Sequence, residues 1–158
     1  MKKIMAALSL LFLLAGCGVN ERTPGKGEKW VKVSRVIDGD TFEIINSGKK
    51  ERVRMIGIDT PETVKPGAKV EPLGPEASSY TKKAIEGKKV RIELDVQERD
   101  KYGRILAYVY LEDGALLNAR LLEEGLAVIM TVPPNVRMAD DFYKLQKNAR
   151  EHKKGVWK

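Results

Sequence analysis

The chain has 158 residues, of which 42% are hydrophobic and 32% are charged, a composition typical of one globular domain rather than of a disordered or fibrous protein. Lysine and arginine number 29 against 22 acidic residues, so the net charge of +7 at pH 7 favours a polyanionic partner, either nucleic acid or an anionic surface. The single cysteine and single histidine exclude a disulfide framework and a zinc site built from these residue types.

The first residues have the pattern of an export signal. A short basic start is followed by an apolar run at residues 4–15, which is shorter than the roughly 20 residues of a membrane-spanning helix. The run ends in LLAGC, which resembles the lipobox of bacterial lipoproteins, where cleavage precedes the cysteine and the cysteine is lipidated. We therefore expect a signal peptide at residues 1–16, a lipidated Cys17 and a protein exported to the outer face of the cell membrane. An ordinary secretory signal with an incidental cysteine is the alternative.

The remainder of the chain is divided into a tether and a domain. Residues 17–28 are polar and rich in glycine, which predicts a flexible tether ahead of a folded domain at residues 29–158. Alternating apolar residues bounded by turn signals predict five strands in this domain, at residues 30–37, 41–45, 51–58, 90–96 and 105–111.

Turn and helix signals complete the prediction of the fold. Asp38 and Gly39 stand between the first two strands and predict a hairpin with a type I′ turn, whose central residues take positive φ. Apolar residues at helical spacing, followed by glycines, predict helices at residues 74–85, 116–124 and 141–153. We therefore predict an α+β fold that is mainly β, a five-stranded OB-type barrel with three α-helices.

Acidic residues cluster at two of the predicted turns. Asp38 and Asp40 follow the first strand, and Asp59 and Glu62 follow the third. If neighbouring strand ends bring Asp40 and Asp59 together, their carboxylates suit one hard cation, Ca²⁺ or Mg²⁺, because only oxygen ligands are on offer. The simpler interpretations are a turn-forming Asp38 and a capped turn at residues 59–62. Spacing alone leaves these alternatives open.

Two arginines point toward phosphate chemistry. Arg54 lies within the third strand, and Arg104 opens the fifth after a glycine. A guanidinium group can hold a phosphate through two parallel hydrogen bonds, although two arginines in surface salt bridges fit the spacing equally well. Together with a divalent cation and the nearby Glu62, two such groups form a plausible phosphodiesterase site.

Three separate blocks make the interpretation more specific. The segments VIDGDT at 36–41, VRMIGIDTPE at 53–62 and DKYGR at 100–104 resemble the signature blocks of the thermonuclease (staphylococcal nuclease) family. The segments GPEA and LAYVY at 74–77 and 106–110 also resemble that family. The match runs in the family's order over nearly all of the chain from Lys32 to Trp157, and the fold that it implies is the barrel predicted above.

The resemblance implies roles for the acidic residues and a chemistry. Asp40 and Asp59 would bind Ca²⁺ through their side chains, and Thr60 through its backbone carbonyl. Glu62 takes the position of the general base that activates the attacking water. Members of the family hydrolyse both DNA and RNA and leave 3′-phosphates.

The resemblance also implies how the substrate is held. Arg54 and Arg104 would grip the scissile phosphate and stabilise charge in the transition state. Lys101 and Tyr102 match positions that contact a substrate or product phosphate. We accordingly expect a monomer that acts on nucleic acid, either single-stranded or locally opened duplex, and that contacts the membrane through its lipid anchor.

One segment departs from the family's pattern. After the second helix the family has tyrosines that stack on a base, whereas this chain has Thr131 and Pro133 near those positions. Base stacking contributes roughly 1–3 kcal/mol per base, so we expect weaker nucleotide affinity and weaker base preference.

Two other classes of function compete with a nuclease. A non-catalytic OB-fold lipoprotein could bind nucleic acid by charge and stacking alone. The set of Asp40, Arg54, Asp59, Glu62 and Arg104 argues against this alternative, because binding needs no general base. A structural envelope lipoprotein would use its basic charge only toward anionic lipid.

Overall fold

The computed structural model describes residues 28–63 and 70–158. The predicted signal peptide, the predicted lipidation site Cys17 and most of the predicted tether lie outside these residues. The first strand begins at Glu28, one residue before the predicted start of the domain. In the part of the chain that the structure describes, no helix is long and apolar enough to cross a membrane.

Seven strands and three α-helices make up most of the described part of the domain, and a short 3-10 helix (Gly155–Trp157) lies at its end. In chain order they are β1 (Glu28–Asp38), β2 (Thr41–Asn46), β3 (Lys49–Met55), β4 (Gly57–Asp59), α1 (Gly74–Ile85), β5 (Lys89–Glu93), β6 (Ile105–Tyr110), α2 (Leu117–Glu123), β7 (Val128–Met130) and α3 (Ala139–Glu151). Five of the strands close into a barrel in the order β1-β2-β3-β6-β5, and β4 pairs with β7 in a separate two-stranded sheet. The predicted five-stranded barrel with three helices is confirmed.

The barrel is mixed in strand direction and filled by alternate side chains. β3 and β6 run parallel, whereas the other barrel neighbours are antiparallel. On β1 and β2 the inward residues are apolar and fully or nearly fully buried, as the alternation of the sequence predicts. Phe142 of α3 reaches the same core and meets Tyr108 of β6 edge to face, with ring centroids 6.2 Å apart. The helices therefore share one hydrophobic core with the barrel.

The prediction of one continuous strand at residues 51–58 is wrong. The strand breaks at Ile56, and the chain leaves the barrel through Gly57, whose φ of 78° favours glycine. A Cβ at Gly57 would also lie 2.7 Å from the ring of Phe142. The break directs β4 away from β3 and toward β7, where Asp59 stands opposite Val128.

A buried asparagine holds this break in place. The Asn118 side chain of α2 donates to the carbonyl of Ile56 at 2.9 Å and accepts from the amide of Val109 at 3.0 Å. Both hydrogen bonds are buried, so they satisfy backbone groups that the break would otherwise leave unpaired. α2 thereby fixes where the chain turns from β3 into β4.

The hairpin between β1 and β2 forms as predicted, but its turn is not type I′. Asp38 pairs with Thr41, and neither Gly39 nor Asp40 between them has positive φ. Glycine is required here for space instead, because a Cβ at Gly39 would lie 2.6 Å from the hydroxyl oxygen of Thr60. From the other side, the Thr81 hydroxyl of α1 donates to the Gly39 carbonyl at 2.6 Å. The turn is therefore packed between α1 and the segment after β4.

Candidate active site

Asp40 lies buried in the turn between β1 and β2 and joins three segments of the chain. Its Oδ2 accepts hydrogen bonds from the backbone amide of Thr60 at 2.9 Å and from the Thr60 hydroxyl at 3.2 Å. Its Oδ1 accepts from the Thr41 hydroxyl at 2.9 Å. The same carboxylate forms an ion pair with Nη1 of Arg54. Asp40 thus connects its own turn to β3 and to the segment after β4.

Arg54 places one guanidinium group between two carboxylates. It projects from β3 with a side chain that is only 13% exposed, and its Nη2 donates to Oδ1 of Asp59 at 2.6 Å. Burial lowers the pKa of this guanidinium, and the neighbouring Asp59 opposes that shift, so Arg54 stays charged at neutral pH. Asp40 and Asp59 therefore face a common position, where Arg54 offsets one of their two negative charges.

Asp38 does more than form a turn. Its Oδ1 accepts from the amide of Gly39 at 2.8 Å, which confirms the turn-forming role, and also from the Thr63 hydroxyl at 2.7 Å. The second contact joins the hairpin to the end of the segment that contains Glu62. The sequence contained no signal for this contact, because the two residues lie 25 positions apart.

The Thr60–Thr63 segment carries Glu62 and is held at several points. The amide of Glu62 donates to Oε2 of Glu71 at 3.1 Å, and the amide of Glu71 donates to the Glu62 carbonyl at 3.0 Å. A Cβ at Gly74, where α1 begins, would lie 2.8 Å from the side chain of Thr63. No helix begins at residues 59–63, and Asp59 pairs with Arg54 instead of capping one. The half-buried Glu62 is thus placed by hydrogen bonds and close packing.

Arg104 is oriented by an acidic partner four residues earlier in the same loop. Its Nε donates to Oδ2 of Asp100 at 2.6 Å, while Oδ1 of Asp100 accepts from the amides of Tyr102 and Arg104 at 2.9 and 3.0 Å. Although burial opposes the shift, these hydrogen bonds lower the pKa of Asp100 below its ordinary value. The ion pair uses Nε of Arg104, which leaves the two terminal nitrogens for another acceptor.

The two arginines meet at one pocket of about 200 Å³. Arg54 and Arg104 are the basic residues of its lining, and its apolar side includes Leu106 of β6, Met130 of β7 and Val132 after it. Met130 Sδ lies 3.8 Å from Nη2 of Arg54. β7 was not predicted from the sequence, because a three-residue strand soon followed by two prolines gives almost no periodic signal.

The residues after β7 supply no aromatic side chain to this pocket. Thr131 and Pro133 are both exposed, and the apolar contacts come from Met130 and Val132. Tyr102 of the neighbouring DKYGR segment is 72% exposed and does not line this pocket.

Lys101 and Tyr102 lie beside Arg104 on the exposed loop before β6. The ammonium nitrogen of Lys101 is 5.1 Å from the centre of the Tyr102 ring, and the guanidinium carbon of Arg104 is 5.5 Å from it. Cations at these distances from a ring face are attracted to it. The three side chains therefore form one basic and aromatic cluster.

The structure brings most of the predicted site residues together. Asp40, Arg54, Asp59 and Thr60 form one contact network, and Arg104 joins it through the shared pocket. Both arginines form ion pairs, as the salt-bridge interpretation expected, but Arg54 does so away from the surface. Glu62 lies three residues after Asp59, in the Thr60–Thr63 segment that Asp38 and Asp40 hold in place.

The donor set available to a metal ion consists of oxygen atoms. Residues 28–63 and 70–158 contain no group of three acidic, histidine or cysteine side chains that could hold an ion without help. Two carboxylates, a backbone carbonyl, water and substrate oxygens would have to share the coordination. Such an incomplete oxygen cage fits a hard cation that accepts irregular geometry.

The lowered pKa of Asp100 predicts how stability depends on pH. The folded state favours the carboxylate, so its contribution is present above the unfolded-state pKa of about 3.9 and is lost as pH falls through the folded-state value. We expect Asp100→Asn to lower the free energy of unfolding by about 1–2 kcal/mol at pH 7 and by progressively less below pH 4. Urea unfolding of both proteins between pH 7 and 2.5 measures this difference.

The exposed pair of Asp141 and Lys144 on α3 provides a matched control. Its atoms are 3.1 Å apart and both side chains are more than half exposed, so Asp141→Asn should change stability by less than about 1 kcal/mol at any of these pH values. A difference between wild type and Asp100→Asn that stays constant from pH 7 to 2.5 would contradict the assignment.

The chain is similar to known nucleases over most of its length. The family described as Staphylococcal nuclease homologue matches residues 52–158. The chain is similar to a thermonuclease of Staphylococcus hyicus, with 48% identity over 82% of this chain and 76% of that protein. It is 47% identical to a thermonuclease of Staphylococcus intermedius, over 85% and 79% of the two chains. It is also 43% identical to the endonuclease YncB of Bacillus subtilis, over 80% and 61%. The chain therefore belongs to the staphylococcal nuclease family.

Proposed function

We propose that this nuclease hydrolyses phosphodiester bonds of DNA and RNA in a Ca²⁺-dependent reaction that leaves 3′-phosphates. It acts as a monomer, held by a lipid on Cys17 at the outer face of the cell membrane. The observation that carries the catalytic part is the direct contact of Asp40 and Asp59 with one arginine, Arg54, beside the pocket that Arg104 shares. Acids and arginines in this arrangement suit both a hard cation and a phosphate.

Asp40 and Asp59 would hold the cation through their carboxylates, with the backbone carbonyl of Thr60 as a third ligand. Asp40 is preorganised for this task because its carboxylate is already fixed by Thr41 and Thr60. A bound Ca²⁺ would supply positive charge to the phosphoryl oxygens. The preference for Ca²⁺ over Mg²⁺ follows from the incomplete cage, since Mg²⁺ demands nearly ideal octahedral geometry.

Arg54 and Arg104 would bind the two non-bridging oxygens of the scissile phosphate. Each is oriented by a carboxylate, Asp59 in one case and Asp100 in the other, so neither side chain must be ordered when the substrate arrives. Their charge stabilises the phosphorane-like transition state more than the ground state, because negative charge on the phosphoryl oxygens increases as water attacks.

Glu62 would act as the general base. Its carboxylate takes a proton from a water molecule, the water oxygen attacks phosphorus, and the P–O5′ bond breaks. The 5′-oxygen leaves as a hydroxyl after it takes up a proton, and the phosphate stays on the 3′-oxygen. Support for this role is the position of Glu62 in the segment that Asp38 and Asp40 anchor, three residues after Asp59.

The pocket beside the arginines bears on base preference. Its apolar side is formed by aliphatic and thioether side chains, Leu106, Met130 and Val132 among them. These groups can contact a sugar or base edge but provide no ring on which a base stacks. We therefore propose a weaker base preference than stacking tyrosines would give.

Two substitutions separate metal binding from proton transfer. Glu62→Gln preserves size and removes the base, so kcat should fall by about 10²–10⁴-fold while Ca²⁺ affinity changes little. Asp40→Ala deletes a charged ligand and should chiefly weaken Ca²⁺ binding. Calorimetric Ca²⁺ titration and initial rates on single-stranded DNA measure the two effects. Glu76→Gln, at an exposed glutamate of α1, is the matched control and should leave both unchanged.

Turnover near the wild-type rate in Glu62→Gln would refute the assignment of the base. A wild-type protein that binds single-stranded DNA but hydrolyses none of it, with Ca²⁺ present, would favour the non-catalytic OB-fold lipoprotein instead.

The lipid anchor predicts where the protein is found in the cell. Cys17→Ala removes the only proposed attachment site, so the variant should leave the membrane fraction and appear in the soluble extracellular or periplasmic fraction. Immunoblots of fractions washed in high salt measure this, because salt releases basic proteins held only by anionic lipid. A variant that stays with the washed membranes would show that Cys17 is not the anchor.

A further inference from the structure

A row of basic side chains continues along β3 away from Arg54. Val53 and Met55 point into the barrel, and the alternate residues Lys50 and Arg52 point outward on the same face as Arg54. Side chains two residues apart on a strand are separated by about 7 Å. Successive phosphates of an extended polynucleotide are separated by a comparable distance, so the row matches a phosphate backbone in both charge and spacing.

An open groove of about 460 Å³ runs beside this row. Its basic lining residues are Lys50, Arg52, Arg99 and Arg104, and the exposed ring of Tyr102 forms part of the same wall. Arg104 lines both this groove and the pocket that contains Arg54. The groove therefore continues directly from the position where the scissile phosphate is proposed to bind.

The charge of the groove remains positive after its ion pairs are considered. Arg99 donates to Oε1 of Glu51 at 2.5 Å, and this hydrogen bond is the main reason that the pKa of Glu51 lies below its ordinary value. Glu51 is thus ionised and offsets Arg99, as Asp100 offsets Arg104, so Lys50 and Arg52 carry the excess positive charge of the groove. Nε of Arg52 lies 3.9 Å from Oε1 of Glu43, but the Arg52 side chain is 63% exposed, so this ion pair is weak and screened.

We propose that this groove binds the phosphates of the substrate segment next to the scissile bond, and that the segment is single-stranded. The inference rests on the proposed function, because it extends the catalytic site rather than replacing it. Lys50 stands four residues from Arg54, about 13 Å along the strand, which gives room for two phosphates beyond the scissile one. The exposed Tyr102 ring offers a surface for an unpaired base, and basic grooves with such rings are typical of single-strand binding.

The test compares substrates that do and do not reach the groove. Lys50→Gln/Arg52→Gln is assayed in Ca²⁺ on a dinucleotide with one phosphodiester bond and on a 12-nucleotide single strand. We expect KM for the 12-mer to rise about tenfold or more at 50 mM salt, because two phosphate contacts are lost. We expect kcat and the kinetics on the dinucleotide to stay at wild-type values.

The salt dependence gives a second readout. Each lost contact with a single strand should reduce the slope of log KM against log salt by about 0.7, so the double variant should lose about 1.4. Lys144→Gln/Lys147→Gln on α3 changes the net charge equally, away from the groove, and is the matched control. Circular dichroism is used to check that each variant is folded. The single variant Lys50→Gln tests the groove without disturbing the Arg52–Glu43 pair.

Binding of a labelled 12-mer without added Ca²⁺, measured by fluorescence anisotropy, separates this inference from the proposed function. If wild type hydrolyses neither substrate, the proposed function fails. Weaker binding of the 12-mer by the double variant than by the control would even then support the groove as a binding site for phosphates. Equal affinity and equal KM in the double variant and the control overturn the inference. An equal loss of affinity for a 12-base-pair duplex overturns the assignment to a single strand.

Discussion

The buried carboxylate of Asp40 is the group on which the geometry of the site depends. It accepts hydrogen bonds from Thr41 and Thr60 and pairs with Arg54, so it joins the β1–β2 turn, β3 and the segment after β4. Arg54 also pairs with Asp59, so loss of the Asp40 carboxylate would leave the guanidinium with one partner and would chiefly remove the hydrogen bonds that fix Thr41 and Thr60. The same contacts that keep Asp40 in place therefore also keep Arg54 and Thr60 in register with it.

The turn that carries Asp40 holds the following segment at two points. Asp40 binds Thr60, and Asp38 binds Thr63, so the residues between them have little freedom even though they form neither helix nor strand. Gly39 lies between the two acids without a side chain, which permits the close approach of Thr60. A loop clamped in this way can present a general base at a fixed position, which a catalytic group needs and a surface turn does not.

Sequence patterns predicted the barrel well because its strands alternate and are bounded by turn residues. The resemblance to the family's blocks singled out Asp40, Arg54 and Asp59, and the structure places these three side chains in contact. The break at Ile56 was not predictable, because it depends on Asn118 and on the approach of Phe142, both distant in the chain. The break is what brings Asp59 to face Asp40 across Arg54.

Other features could not be predicted because they depend on tertiary packing. The type I′ turn was a sound inference from Asp38-Gly39, but the requirement for glycine comes from the close approach of Thr60 rather than from positive φ. The strand β7 is three residues long and is stabilised by pairing with β4, not by its own pattern. The bond between Asp38 and Thr63 likewise exists only once both segments have folded.

We propose that Asp40 and Asp59 form an incomplete oxygen cage suited to Ca²⁺ in a phosphodiester-cleaving site. The most direct measurement is the initial rate of hydrolysis of single-stranded DNA by the purified protein against free metal concentration, in buffers containing only Ca²⁺ or only Mg²⁺. We expect a rate that saturates with Ca²⁺, disappears with a calcium-selective chelator and is not restored by Mg²⁺. Full activity in Mg²⁺ after rigorous removal of Ca²⁺ would contradict the proposal.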